Sequence, residues 1–140
     1  MNTIVFDIDG TICPTKKADE EYKDLIPYFD MIDKIRELKR EGYRIVFFTA
    51  RNMRTYNGNI NKILKYTKPI LETWLEKWKI PYDEIIFGKP YPGEKGFYVD
   101  DKTLRPDELL SMTKDEISIF LKGSDTNEVW FACAYYLFRW

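Results

Sequence analysis

The chain contains no histidine, and its two cysteines, Cys13 and Cys133, stand at opposite ends without a Cys-x-x-Cys pair. These absences argue against a zinc site, a haem ligand set and a Ser-His or Cys-His catalytic pair. Two distant cysteines read as reduced thiols, and so as a cytoplasmic protein. No run of about 18 apolar residues marks a membrane span. The start, MNTIVFD, lacks the basic end and long apolar stretch of a signal peptide. Excess charge of either sign is also missing: 22 Lys and Arg face 23 Asp and Glu, a formal net charge of −1. A nucleic-acid footprint would show as a basic surplus, so a nucleic-acid partner is disfavoured.

What is present is the composition of an ordinary globular chain, 140 residues long and rich in aromatics at 16%. One domain over residues 1–140 is expected, large enough to fold without a disulfide or metal staple. Four short apolar segments read as strands covered on both faces: TIVFDI (3–8), YRIVFFTA (43–50), EIIFG (84–88) and GFYVDD (96–101). Helical patterns lie between and after them. Residues 27–42 place Phe29, Ile32, Ile35 and Leu38 on one stripe and end at Gly42, a suitable C-cap. Residues 59–80 carry Ile63, Ile70, Leu71, Trp74, Leu75 and Trp78, with Pro69 starting or kinking the second part. RPDELLSM and TKDEISIFLKG follow, the latter with a Thr113-x-x-Glu116 capping box. This alternation predicts an α/β fold, a Rossmann-like three-layer sandwich around a mostly parallel central sheet. Residues 122–128 are linker-like. The extension at 123–140, ending in VWFACAYYLFRW, either packs on the core or forms a subunit contact in a homo-oligomer.

Ligands of parallel α/β sheets bind at the carboxyl ends of the strands. The first segment delivers Asp7 and Asp9, then Gly10 and Thr11. The second delivers Thr49, Ala50 and Arg51, the third Lys89, and the fourth Asp100 and Asp101. Crowded carboxylates repel and call for a cation. An oxygen-only ligand set suits Mg²⁺, which takes one or two carboxylates plus water and substrate phosphate. Thr49 and Lys89 then fit as a hydroxyl donor and a point charge for phosphate, and the backbone around Asp9, Gly10 and Thr11 as a turn able to cradle phosphate oxygens. Asp7 and Asp9 are two apart and share one face of a strand. One acid can attack phosphorus, giving an aspartyl-phosphate, while the other moves protons.

With these residues assembled, the chain resembles the haloacid dehalogenase (HAD) superfamily. VFDIDGT is similar to its first motif, VFFTAR to the second, FGKP to the third and FYVDDK to the fourth, in the family's order. The resemblance implies Asp7 as nucleophile and Mg²⁺ ligand, and Asp9 as general acid then base, lending its backbone carbonyl to the metal. It implies Thr49 and Lys89 on the phosphoryl group, with Gly10, Thr11 and Ala50 beside them. It implies Asp100 as a metal ligand and Asp101 holding a metal-bound water. An acid at Asp9 marks phosphatases within the superfamily. KPYPGEKGFYVDDKTLRPDEL further resembles phosphatases of capsule and surface-polysaccharide biosynthesis, implying a sugar phosphate or a phosphorylated appendage of a sugar or nucleotide-sugar.

The superfamily's cap domain has no room here: ICPTKKADEEYKDLIPY can form only a small flap, so the expected enzyme has a minimal cap or none. KKADEEYK reads as solvated surface. Arg51, Arg54, Tyr56 and Asn57, in TARNMRTYNG, are either a solvated loop or contacts to the leaving group. Beside the phosphatase stand a phosphotransferase or phosphomutase on the same scaffold, a polynucleotide-end phosphatase, and a non-catalytic binding domain.

Overall fold

The structure, a computed structural model, describes residues 2–122. The chain divides into two compact units, Met1–Tyr98 and Val99–Trp140. The first contains a parallel sheet of β1 (Thr3–Phe6), β2 (Arg44–Thr49) and β3 (Glu84–Phe87) in the order β1-β2-β3. Val5 lies opposite Val46, and Phe47 opposite Ile85. Helices connect the strands, so the fold is α/β with a parallel sheet, as expected.

Coverage on both faces holds for β2 alone, whose Ile45, Val46 and Phe47 are all buried. Among the described residues β1 and β3 are the sheet's outer strands, and they leave Val5 and Ile86 exposed. A central strand is packed from every side, whereas an outer one shares less of the core.

α1 (Phe29–Arg40) joins β1 to β2 and buries Met31, Ile32, Ile35 and Leu38. Phe29, expected on that stripe, sits at the helix start and is exposed, its ring edge against Trp78. The helix ends as its glycine predicts. Gly42 takes φ +95, its N–H donates to Lys39 C=O and the Tyr43 N–H donates to Leu38 C=O. This is a Schellman closure.

Between β2 and β3 the chain forms α2 (Ile60–Lys62), a π-helical turn (Ile63–Thr67) and α3 (Lys68–Lys77). The wide turn lies just before Pro69, which occupies the opening of α3. Proline has no N–H to donate and its ring crowds the preceding turn. The Lys68 N–H bonds back five residues to Ile63 C=O, and the π turn takes up the strain. Ile63, Leu71, Trp74 and Leu75 are buried, while Ile70, one position round the helix from Leu71, is exposed.

The expected fourth strand at 96–101 is not a strand. The chain there folds back on its own loop. Gly96 faces the Pro92 carbonyl with no room for a Cβ, and the Tyr98 hydroxyl donates to the Pro90 carbonyl. A short apolar run does not by itself identify a pairing partner.

In the second unit, α4 (Pro106–Ser111) and α5 (Lys114–Lys122) bury Leu109 and Ile117. The capping box at α5 forms reciprocally: the Thr113 hydroxyl accepts from Glu116 N–H at 3.2 Å, and the Glu116 carboxylate accepts from Thr113 N–H at 3.3 Å. The extension at 123–140 lies outside the described residues.

Candidate active site

Beyond β1 the chain turns sharply. Ile8 is fully buried, so its neighbours Asp7 and Asp9 face the other way. Gly10 has φ +87, although a Cβ there would meet nothing closer than Thr15 Oγ1 at 3.6 Å. The backbone conformation, not lack of space, calls for glycine. The Gly10 N–H donates to Cys13 C=O at 2.7 Å, and the Thr11 and Ile12 N–H groups to Ile8 C=O at 3.0 and 2.9 Å. The Gly10 and Thr11 amides, read as part of a phosphate cradle, are thus committed within the turn. What Thr11 offers the rim is its hydroxyl, which donates to Asp7 Oδ2 at 3.2 Å.

The ends of the other two strands supply the partners. Gly88 closes β3, and the Lys89 N–H continues toward β2 by donating to Thr49 C=O at 3.1 Å. Lys89 Nζ then reaches Asp7 Oδ1 at 3.3 Å, with the Tyr98 ring beneath it at 4.3 Å. Thr49 is buried. Its hydroxyl oxygen accepts the Arg51 N–H at 3.0 Å, and its own O–H remains to donate. Asp7, Thr49 and Lys89 therefore gather at the carboxyl rim of the sheet.

Asp9 is held by a fork. Arg51 Nε donates to Asp9 Oδ2 at 3.1 Å and Nη2 to Oδ1 at 2.8 Å, from a guanidinium that is almost wholly buried. Arg51, read as a solvated or substrate-facing residue, is placed on Asp9 instead. Arg54 is exposed, Tyr56 turns its ring to Tyr66 at 5.9 Å, and Asn57 sits in the loop at φ +49. Among the described residues none of these three bonds Asp7 or Asp9. Asp100 and Asp101 belong to the second unit. There Asp100 Oδ1 accepts the Lys102 N–H at 2.9 Å, and this bond leads the effects that hold its carboxyl below the usual range.

Electrostatically, Lys89 and Arg51 balance Asp7 and Asp9 within the first unit, so repulsion between these two acids does not by itself demand a metal. Among the described residues no group of three or more His, Cys, Asp or Glu is gathered to hold one. The donors nevertheless fit Mg²⁺ in kind. They are oxygens only, Asp7 is partly exposed, and Asp9, its carboxylate taken by Arg51, still has a backbone carbonyl to offer. Cys13 is not a candidate nucleophile. Burial first, then the Asp9 charge, pushes its thiol up to about 12, which keeps it protonated near neutrality.

Three residues at this rim escaped the sequence reading. Cys13 Sγ lies 3.8 Å from Asp9 Oδ1, Tyr98 lies under Lys89, and the Tyr22 ring lies 4.2 Å from Arg51 Cζ. The one signal for Tyr22 was an aromatic inside a run otherwise read as solvated charge.

Comparison with solved structures gives a match to a structural-genomics target from Vibrio cholerae. Identity is 45% and the TM-score 0.80, over 89% of this chain and 100% of that one. The chain belongs to the same family as that Vibrio cholerae protein. A weaker match is to a D,D-heptose 1.7-bisphosphate phosphatase from B. bronchiseptica complexed with magnesium and phosphate. There identity is 18% and the TM-score 0.46, over 68% of this chain and 54% of that one. A chain of the Pnkp1/Rnl/Hen1 RNA repair complex matches at 16% identity and a TM-score of 0.45, over 88% of this chain and 32% of that one. No family model and no curated protein matches the chain. Among the described residues no helix is long and apolar enough to cross a membrane.

Proposed function

We propose that the chain is a Mg²⁺-dependent phosphomonoester hydrolase that works through an aspartyl-phosphate on Asp7. The observation that carries this reading is the placement of Asp7 at the carboxyl end of β1. Its two oxygens are oriented by Lys89 and Thr11, and a second acid, two residues on, is held independently by Arg51.

In this reading Asp7 attacks phosphorus, and the bond from phosphorus to the leaving oxygen breaks. Asp9 gives that oxygen its proton. Asp9 then takes a proton from the water that cleaves the aspartyl-phosphate, so Asp7 and inorganic phosphate are regenerated. Asp9 Oδ1 accepts from Arg51 Nη2 and the Cys13 thiol, while Oδ2 accepts Arg51 Nε alone and retains lone-pair capacity for the proton it moves. Lys89, already against Asp7, supplies positive charge where the phosphoryl oxygens gather, and the Thr49 hydroxyl donates beside it. Mg²⁺, held by the Asp7 carboxylate and the Asp9 carbonyl, would neutralise phosphoryl charge and orient the substrate. Asp100 as a further ligand and Asp101 on a metal-bound water enter through the motif resemblance alone, as does a phosphorylated sugar or sugar appendage as substrate. The segment 12–28, whose one regular element is the 3-10 turn Tyr22–Asp24, makes a cap-less enzyme part of the proposal.

The test is phosphate release from a panel of sugar phosphates, nucleotides and phosphorylated amino alcohols. Wild-type turnover should stop in EDTA and return with Mg²⁺, and Asp7→Asn should lower kcat by at least about 10³-fold. Undiminished turnover by Asp7→Asn would remove the mechanism. Transfer of phosphate to an added alcohol in place of free phosphate would favour a phosphotransferase.

A further inference from the structure

Arg51, which holds Asp9, is itself flanked by a residue far away in sequence. Its guanidinium gives two nitrogens to Asp9, and Nη2 also touches Cys13 Sγ at 3.9 Å. The third nitrogen, Nη1, is buried without a hydrogen-bond partner among the described residues. What flanks this guanidinium is a ring: the Tyr22 centroid is 4.2 Å from Arg51 Cζ, within cation–π stacking range. Such stacking holds a planar cation in orientation without supplying a hydrogen bond.

Tyr22 is itself fixed from the fold. It lies in the 3-10 turn of the segment 12–28. The Leu25 N–H donates to the Tyr22 carbonyl at 3.3 Å, and the Leu25 carbonyl accepts Trp74 Nε1–H at 2.7 Å in the core. The segment's ends are tied together by Tyr28 N–H donating to Ile12 C=O at 2.9 Å. A continuous chain of contacts therefore runs from α3 through Leu25 and Tyr22 to Arg51 and Asp9.

We propose that Tyr22 is a positioning residue for the proposed phosphatase reaction: its ring clamps the Arg51 fork onto Asp9, and so fixes the carboxylate that protonates the leaving group. The proposal rests on the phosphatase reading for its catalytic meaning. Its structural core, a clamp over the Arg51 guanidinium that in turn touches Cys13, stands on the contacts alone. A leaving group of high basicity needs that proton and one of low basicity does not. Loss of the clamp should therefore be selective for the leaving group, which a general loss of folding would not be.

The experiment compares wild type, Tyr22→Phe and Tyr22→Leu, each with Cys133→Ser so that Cys13 is the single thiol. Leaving-group release in a single turnover, with enzyme in excess, is read on an alkyl phosphate and on p-nitrophenyl phosphate, and Cys13 is labelled with a disulfide reagent. Tyr22→Leu should slow first-turnover release from the alkyl ester by about 10- to 100-fold at saturating substrate, while release from the nitrophenyl ester slows less than about threefold. Its Cys13 should label about tenfold faster, as the cover over the fork is lost. Tyr22→Phe, which keeps the ring, should match wild type in all readings. Equal loss on both esters, or no loss on either, overturns the positioning role. If wild type cleaves no phosphomonoester, the phosphatase reading fails, and labelling alone decides the clamp: equal rates in Tyr22→Leu and wild type overturn it.

Discussion

Gly88 and Ile60 meet so closely that a Cβ on Gly88 would lie 2.7 Å from Ile60 Cδ1. Gly88 also sits at φ +87, immediately before the lysine that reaches Asp7. Two costs of adding a side chain can be separated. The Ile60 tip is the end of a flexible side chain and can swing away, whereas the backbone conformation cannot change without moving Lys89. Gly88→Ala should therefore lose about 1–2 kcal/mol of stability in urea unfolding, and should lower turnover by displacing Lys89. Gly88→Asn should lose less, because Asn tolerates positive φ better. Adding Ile60→Val to Gly88→Ala should restore little. Full restoration would assign the cost to the clash rather than to the backbone.

Trp74 connects the core to the segment that carries Tyr22. The ring is buried, and its Nε1–H donates to Leu25 C=O at 2.7 Å. Trp74→Phe keeps an aromatic ring but withdraws the N–H that donates to this carbonyl. The expected loss is about 1–3 kcal/mol by denaturant unfolding, the cost of an unsatisfied buried carbonyl together with the lost volume. A change below about 0.5 kcal/mol would mean that the carbonyl finds another partner.

Much of this was legible in the chain itself, and the failures have physical causes. Three strand ends, the Gly42 cap, the Thr113 box and the disturbance at Pro69 are local chemistry, set by residues within a few positions of one another. The pairing of an apolar run is not local: residues 96–101 have the composition of a strand, yet Pro92, Gly96 and Tyr98 fold them back on their own loop. Arg51 shows a second kind of failure. A lone arginine in a polar loop gives no sign of where its guanidinium goes. It is buried on Asp9 beside a tyrosine 29 positions earlier, inside a stretch whose charges suggest only solvent. Side-chain pairing across that distance becomes visible only when the sheet has placed both loops on one rim.

Asp83 offers a test of the scaffold that is independent of catalysis. Its Oδ2 accepts the Ile45 N–H at 2.8 Å, its own N–H donates to Ile45 C=O at 2.8 Å, and both its oxygens meet Lys39 Nζ at 2.6 Å. It thus ties the start of β3 to β2 and α1. The Lys39 hydrogen bond first, then the Ile45 amide, holds its carboxyl below the ordinary value. A carboxylate depressed in the folded state favours folding at pH values above its unfolded pKa of about 4, and loses that contribution as pH falls through the folded value. Asp83→Asn should therefore melt below wild type at pH 7, and the difference should shrink as pH falls below about 4, because the wild-type carboxyl then takes up its own proton. Raised salt should weaken only the part owed to Lys39, since that pair faces solvent while the Ile45 amide bond is partly buried. A gap in melting temperature that stays constant from pH 7 to about pH 3 would show that Asp83 acts through shape rather than charge.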